Sequence, residues 1–277
     1  MHVYMSLIFT RILTLLFFLS FIPLLRAEFL ELPEGDMITD KRRVEVMPDT
    51  GNSRIGKMLT RFYEKGLGGP DNWKKLMSLR GSGSIRMDNA LFEVESFQKK
   101  PNLMKLIISK EGRDVFTLSY DGKVAWKRSL KSQTPVQMEA NEARRFIHGS
   151  VFGNYLLYPY AEGKRIEYIE TIPFEGSVCH RIRVHLDTGF EIDYYLDVSR
   201  YHEVKVENHD LRTGLKNIIR YSDFRSVFGT VMAMKVENFE GDELLSSLQM
   251  DEYRANVGIM PWMFEIPELY HEERIAP

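Results

Sequence analysis

The chain has 277 residues, 44% of them hydrophobic, with 37 basic side chains against 39 acidic ones and one cysteine. A single cysteine excludes an intramolecular disulfide, so stability must come from packing. Mixed signs without a clustered Lys and Arg stripe exclude a phosphate-tracking surface, and no nucleic-acid partner is expected.

Residues 1–27 read as a secretory signal peptide. A weakly cationic start ends at Arg11, the apolar run Ile12 to Leu25 follows, and Arg26 and Ala27 close it, placing the mature start near Glu28. The run is shorter than the roughly 20 apolar residues that span a bilayer, and Pro23 interrupts it; an uncleaved anchor is the alternative. No later stretch is apolar enough to cross a membrane, so a soluble exported protein is expected. Residues 28–50 are polar, with Pro33 and Pro48 and no sustained periodicity, and read as a flexible leader.

One domain is expected over 51–277. Ile55, Met58, Leu59, Phe62 and Tyr63 recur at helical spacing, with Asn52 and Ser53 able to cap the helix and Gly66 to stop it. Gly68 and Gly69 turn the chain into a second short helix that starts at Pro70 and points Trp73, Leu76 and Met77 inward. From Leu79 the period becomes two. Phe92 and Val94 share a face, as do Met104, Leu106 and Ile108, and then Phe116, Leu118 and Tyr120, although Ile107 and Val115 on the opposite sides make the alternation imperfect. Asp121 and Gly122 mark a hairpin before the strand with Val124 and Trp126.

Near 137–160 the pattern returns to helical turns: Ala140, Ala143, Phe146 and Ile147, then Val151, Phe152, Leu156 and Leu157, interrupted by Gly149 and Gly153. This helical insertion divides the strands into two halves. Alternation resumes with Val178, His180, Ile182, Val184 and Leu186 on one face and Cys179, Arg181, Arg183 and His185 on the other. Phe190, Ile192, Tyr194 and Leu196 follow a turn at Asp187 to Gly189, and further strands fall around Val204 and Val206, Ile218 to Tyr221, Met232 to Val236 and Leu248 to Val257. Some ten or eleven strands with few short helices predict a mainly β (α+β) fold. A single large antiparallel sheet of this size curls under its accumulated twist, and short helices cover only part of its concave face.

No residue cluster points to catalysis, a metal or a cofactor. Asp-Thr-Gly occurs twice, at Asp49 to Gly51 and Asp187 to Gly189, as in the paired turns of aspartic proteases. The first lies in the leader and the second in a hairpin, so turn chemistry accounts for both. His180 and His185 are five residues apart on a strand and point to opposite faces, so they cannot share a metal. His271, Glu272 and Glu273 read as a solvated tail. Cys179 shares a face with Arg181 and Arg183, which would lower a thiol pKa if close. Met104, Met232 and Met234 fall on strand faces, and Met260 and Met263 flank Trp262; core filling explains them unless a cavity adjoins.

The order of features resembles the periplasmic lipoprotein carriers and sorting proteins of the LolA and LolB type. The resemblance rests on Gly68 and Gly69, then Trp73 and Leu76, then the strand Leu79, Arg80, Gly81, Ser82, Gly83, Ser84. It continues through Gln98 to Pro101, the turn Tyr120, Asp121, Gly122 with Trp126, and the tail from Asn256 and Val257 through Phe264 to Pro267. It implies an unclosed β-barrel, covered by helices, whose concave apolar face receives acyl chains. This chain is longer than that carrier, with an extended leader and a charged tail.

The expectation is therefore a non-catalytic periplasmic carrier that binds lipid or lipoprotein acyl chains, with envelope membrane proteins as possible donor or acceptor. Candidate lining residues are Phe92, Val94, Met104, Leu106, Ile108, Phe116 and Leu118 from the first half and Val178, Ile182, Val184, Ile192 and Tyr194 from the second. The alternatives are an envelope scaffold that recognises a protein through an edge strand or its tail, with no lipid cavity, and a hydrolase whose site has no recognisable motif.

Overall fold

The computed structural model describes residues 54–130, 133–156 and 164–267. The expected export signal and leader, the expected capping pair Asn52 and Ser53, Leu157 and the His271 group lie outside the described residues.

Two short helices open the fold. Helix α1 (Arg54–Arg61) runs into a single π turn (Phe62–Gly66), in which the Leu67 N–H reaches the Phe62 carbonyl at 3.0 Å. The extra residue in that turn lets consecutive Phe62 and Tyr63 both be buried. Gly68 has a φ of 85°, and a Cβ there would lie 2.1 Å from the Gly229 carbonyl oxygen, so only glycine fits this passage into α2 (Pro70–Lys75). Pro70 occupies the first turn of α2 as expected, and Trp73 and Leu76 are buried. Met77 corrects its expected inward position: it starts the extended run into the sheet and is exposed.

Among the described residues thirteen strands follow in one antiparallel sheet, more than the ten or eleven expected. They are β1 (Ser78–Met87), β2 (Ala90–Lys99), β3 (Leu103–Lys110), β4 (Arg113–Tyr120), β5 (Ala125–Ser129), β6 (Val136–Gln137), β7 (Lys164–Phe174), β8 (Ser177–Leu186), β9 (Phe190–Asp197), β10 (Glu203–Asp210), β11 (Lys216–Val227), β12 (Thr230–Glu240) and β13 (Glu243–Ala255). Strands β6 and β7 escape the sequence reading because one is two residues long and the other lies at the sheet edge. Every described side chain of β7 is at least partly exposed, and Pro173 interrupts its pattern.

The spatial order is β6-β5-β4-β3-β2-β1-β13-β12-β11-β10-β9-β8-β7. The first six strands form one meander and the last seven another. They join where β1 meets β13, from Leu79 opposite Ala255 to Met87 opposite Ser246. The edges β6 and β7 are thus consecutive in sequence yet unpaired, leaving the barrel unclosed as expected. The chain between them must cross from one rim to the other, which explains why the insertion lies over the concave face.

Within the insertion, helix α3 spans Ala140–Gly149. Val151, Phe152 and Leu156 are buried, but in bends and turns rather than the helical turns expected beyond Gly149. Ala143, Phe146 and Ile147 of α3 pack on the inner faces of β1–β5 with Ile85, Phe92, Ile108, Phe116 and Leu118. The opening helices pack with Val151, Phe152 and Leu156 on the inner faces of β8–β10. A third cluster lies on the convex side, where Ile259 and Phe264 cover Phe97 and Ile107. There the Phe264 carbonyl, at the end of a 3-10 turn (Pro261–Phe264), accepts from Trp126 Nε1 at 2.7 Å and Ser119 Oγ at 2.8 Å. The imperfect alternation at Ile107 is the sequence trace of this outer cover.

Candidate ligand cavity

Between the two covered halves, the inner faces of β11, β12 and β13 look into a partly open cavity of about 380 Å³. Ile219 and Tyr221 of β11, Met232 and Val236 of β12, and Leu248, Met250 and Tyr253 of β13 line it. One wall is the strap from Gly149 to Tyr155 that follows α3, and another is formed by Phe62, Leu67 and Trp73 of the opening helices. The volume falls in the range of small-molecule pockets, roughly 300–1,000 Å³, and the lining is mainly apolar with a few polar groups.

Defined bonds hold the cover. Arg144 Nη2 meets Asp210 Oδ2 at 2.5 Å, both groups are almost completely buried, and the guanidinium lies 4.6 Å from the Phe190 ring centre. One turn later His148 stacks on Phe190 at 3.9 Å, its Nε2 3.3 Å from Asn208 Oδ1. On the other side of the helix, Glu142 pairs with Lys127 of β5 at 2.6 Å. Helix α3 is therefore fastened to both halves of the sheet. Along the strap, the Phe152 N–H donates to the Pro101 carbonyl at 3.1 Å, the Tyr155 N–H to the Tyr194 hydroxyl at 3.1 Å, and the Tyr63 hydroxyl to the Leu156 carbonyl at 3.0 Å. Lys164 Nζ, at the start of edge strand β7, donates to the Tyr155 carbonyl.

Burial displaces several titratable side chains of the cavity wall from their ordinary ranges, among them His148 and Glu203. The His148 imidazole is pushed down to about 4, with Asn208 opposing through its hydrogen bond. The Glu203 carboxyl is pushed up to about 7, opposed by a hydrogen bond from Asn154. Their charged forms lose hydration in a largely apolar surround.

Of the twelve side chains expected to line an apolar cavity, Val94, Met104, Leu106 and Tyr194 do so. Phe92, Ile108, Phe116 and Leu118 lie on the same concave face but are sealed under α3, while Ile182, Val184 and Ile192 are sealed under the opening helices and strap. Val178 is 46% exposed at the start of β8, where the sheet extends past its cover. Met104 and Met232 adjoin the cavity, whereas Met234 is packed in the first-half core. Sequence reasoning missed Glu203, Asn154 and the β11–β13 lining. The β11–β13 strands had been found, but alternation alone does not reveal which stretch of sheet a helix leaves bare.

The remaining candidates are accounted for locally. Cys179 is buried, and its thiol is pushed up to about 11 by burial and by Asp197, against the expected lowering. Arg181 and Arg183 instead hold Asp193, at 2.5 and 2.6 Å. His180 lies among Tyr168 and Tyr201 on the inner side, and His185 contacts Glu167 and Glu191 outside. Asp187 to Gly189 form the β8–β9 turn, and Asp49 lies outside the described residues. Among the described residues no group of His, Cys, Asp or Glu could hold a metal, and no helix is long and apolar enough to cross a membrane.

No family model and no curated protein matches the chain. Solved structures match in architecture. A LolA superfamily protein from Nitrosomonas europaea superposes with a TM-score of 0.54 at 10% identity, covering 76% of this chain and 96% of that one. This is a LolA-like fold. A DUF1329 family protein from Desulfovibrio piger is similar to the same extent, with a TM-score of 0.55 at 10% identity over 76% of this chain and 95% of the other. At such identity the likeness is one of fold. It matches the LolA-like unclosed barrel that the sequence resemblance implied.

Proposed function

We propose that this LolA-like chain is a non-catalytic carrier that takes an apolar chain, a lipid or the acyl chains of a lipoprotein, into the cavity between its two covered halves. The observation that carries this reading is the unfilled, mainly apolar space over β11–β13 in a protein otherwise packed by three hydrophobic clusters. Each methylene moved there from water gains about 0.8 kcal/mol, offset by the cost of displacing the strap and by lost ligand freedom. Val94, Met104, Leu106, Tyr194, Met232 and Met250 are the proposed contacts.

The proposal keeps the organisation read from the sequence: an export signal over 1–27, a leader over 28–50 and one half-barrel domain over 51–277, acting in the periplasm in lipoprotein sorting. Native mass spectrometry of the exported protein tests it. Bound lipid that leaves on mild activation supports the carrier, while a bare protein that also takes up no N-phenylnaphthylamine, a neutral apolar fluorophore, rejects it.

A scaffold reading draws on one observation. Edge strand β7 has eleven residues and, among the described residues, pairs with β8 alone, leaving a row of backbone groups able to receive another strand. Proline at Ile169, in that edge, would abolish partner capture under this reading and leave fluorophore uptake intact.

A further inference from the structure

The cavity wall is mostly apolar, yet one carboxyl is deliberately turned into it. In β10, Val206, Asn208 and Asp210 are buried, while Lys205 and Glu207 alternate with them on the outer face. Strict alternation would send Glu203 outward with Lys205. The ladder with β9 breaks between them: Glu203 pairs with Leu196 and Lys205 with the adjacent Tyr195, so Val204 is an extra, bulged residue. The bulge moves Glu203 to the face of buried Leu196, where it lines the cavity. Bulges disrupt a ladder locally and commonly serve to re-aim a side chain.

Once inside, the carboxyl is held through one oxygen, and the other stays open to the cavity. Asn154 Nδ2, on the strap, donates to Oε2 at 2.5 Å. Oε1 has no hydrogen-bond partner among the described residues, and no Lys, Arg or His there forms an ion pair with Glu203. Tyr194 from β9 and Tyr221 from β11 line the same wall and feel its charge. An acid held among aromatic and aliphatic walls repels an anionic ligand and leaves an acceptor for a donor brought from outside.

We propose that Glu203 is the polar anchor of the cavity and that its ligand bears a hydrogen-bond-donating head, an amine or hydroxyl on an alkyl chain, rather than a carboxylate. The inference rests on reading the cavity as a site for an apolar chain. Such a donor satisfies Oε1 while the alkyl chain lies against Tyr221, Met232 and Leu248.

The test is displacement of N-phenylnaphthylamine from the purified full chain by dodecylamine, dodecanol and dodecanoate at about pH 8.5, where a carboxyl titrating near 7 is ionised. The amine and the alcohol are expected to displace it at concentrations at least about tenfold below that of dodecanoate. In Glu203→Gln, with displacement referred to that variant's own fluorophore affinity, the dodecanoate penalty relative to the amine and the alcohol disappears; Glu203→Leu checks the same levelling without a polar side chain. An identical ligand order in wild type and both variants, or a wild type that prefers dodecanoate, overturns the anchor and leaves the cavity reading standing. Failure of every form to take up the fluorophore overturns both.

Discussion

Glu203 and His148 make the fold sensitive to pH in opposite directions. Folded Glu203 keeps its proton up to about pH 7, whereas an ordinary glutamate releases it near 4.5. Between those values unfolded chains ionise first, so stability falls as the pH rises, and the loss is complete once the pH exceeds the folded value. Glu203→Gln should therefore raise the unfolding free energy measured in urea at about pH 8.5, by on the order of a few kcal/mol, and leave it nearly unchanged at about pH 4. An equal shift at both pH values would refute the assignment. For His148, ordinarily at 6.5 and here pushed down to about 4, unfolded chains take up the proton first as the pH falls. Its contribution is lost on acidification through that window, and His148→Phe, which keeps a ring against Phe190, should flatten the acid side of the stability profile. Neither effect was legible in the sequence. Period-two reading places Glu203 outside because a bulge leaves no trace in composition, and it places Cys179 near two cations without revealing that Asp193 holds both.

Helix α3 is the element on which the cover depends. Arg144→Ala leaves the buried Asp210 carboxylate with Arg145 4.0 Å away as its nearest remaining cation, so a loss of about 3 kcal/mol in urea unfolding is expected. Hydrogen exchange along α3 should quicken in the same variant; unchanged exchange would show that the helix is held by its apolar face alone. That face was readable, since Ala143, Phe146 and Ile147 fall at helical spacing. The strap beyond it was not. Val151, Phe152 and Leu156 carry the same apolar spacing, but the chain there is held by single hydrogen bonds to Pro101, Tyr194 and Tyr63, which are distant in sequence. The alternation of β2, β3 and β4 was legible because one face is buried along most of their length, in part under α3 and in part against the cavity. Val178 fails because its strand outruns the cover.

At the scale of the molecule, the two helical covers fall short of each other and leave the void over β11–β13. Filling it tests whether the space is functional: Met232→Trp should reduce N-phenylnaphthylamine uptake roughly tenfold while changing folding stability by no more than about 1–3 kcal/mol. Undiminished uptake would place the fluorophore elsewhere. The curled sheet was legible in the sequence because a sheet of many alternating strands accumulates twist, whereas its unclosed form was what the family resemblance implied. The strand order was not, since nothing local marks β1 and β13 as neighbours. That adjacency has a consequence for how the protein is made. The first strand to leave the ribosome must wait for the last before the middle of the sheet can zip, at the loop-closure cost of nearly the whole chain. Until β13 is made, the two meanders have no shared seam, and the floor of the cavity over β11–β13 cannot form.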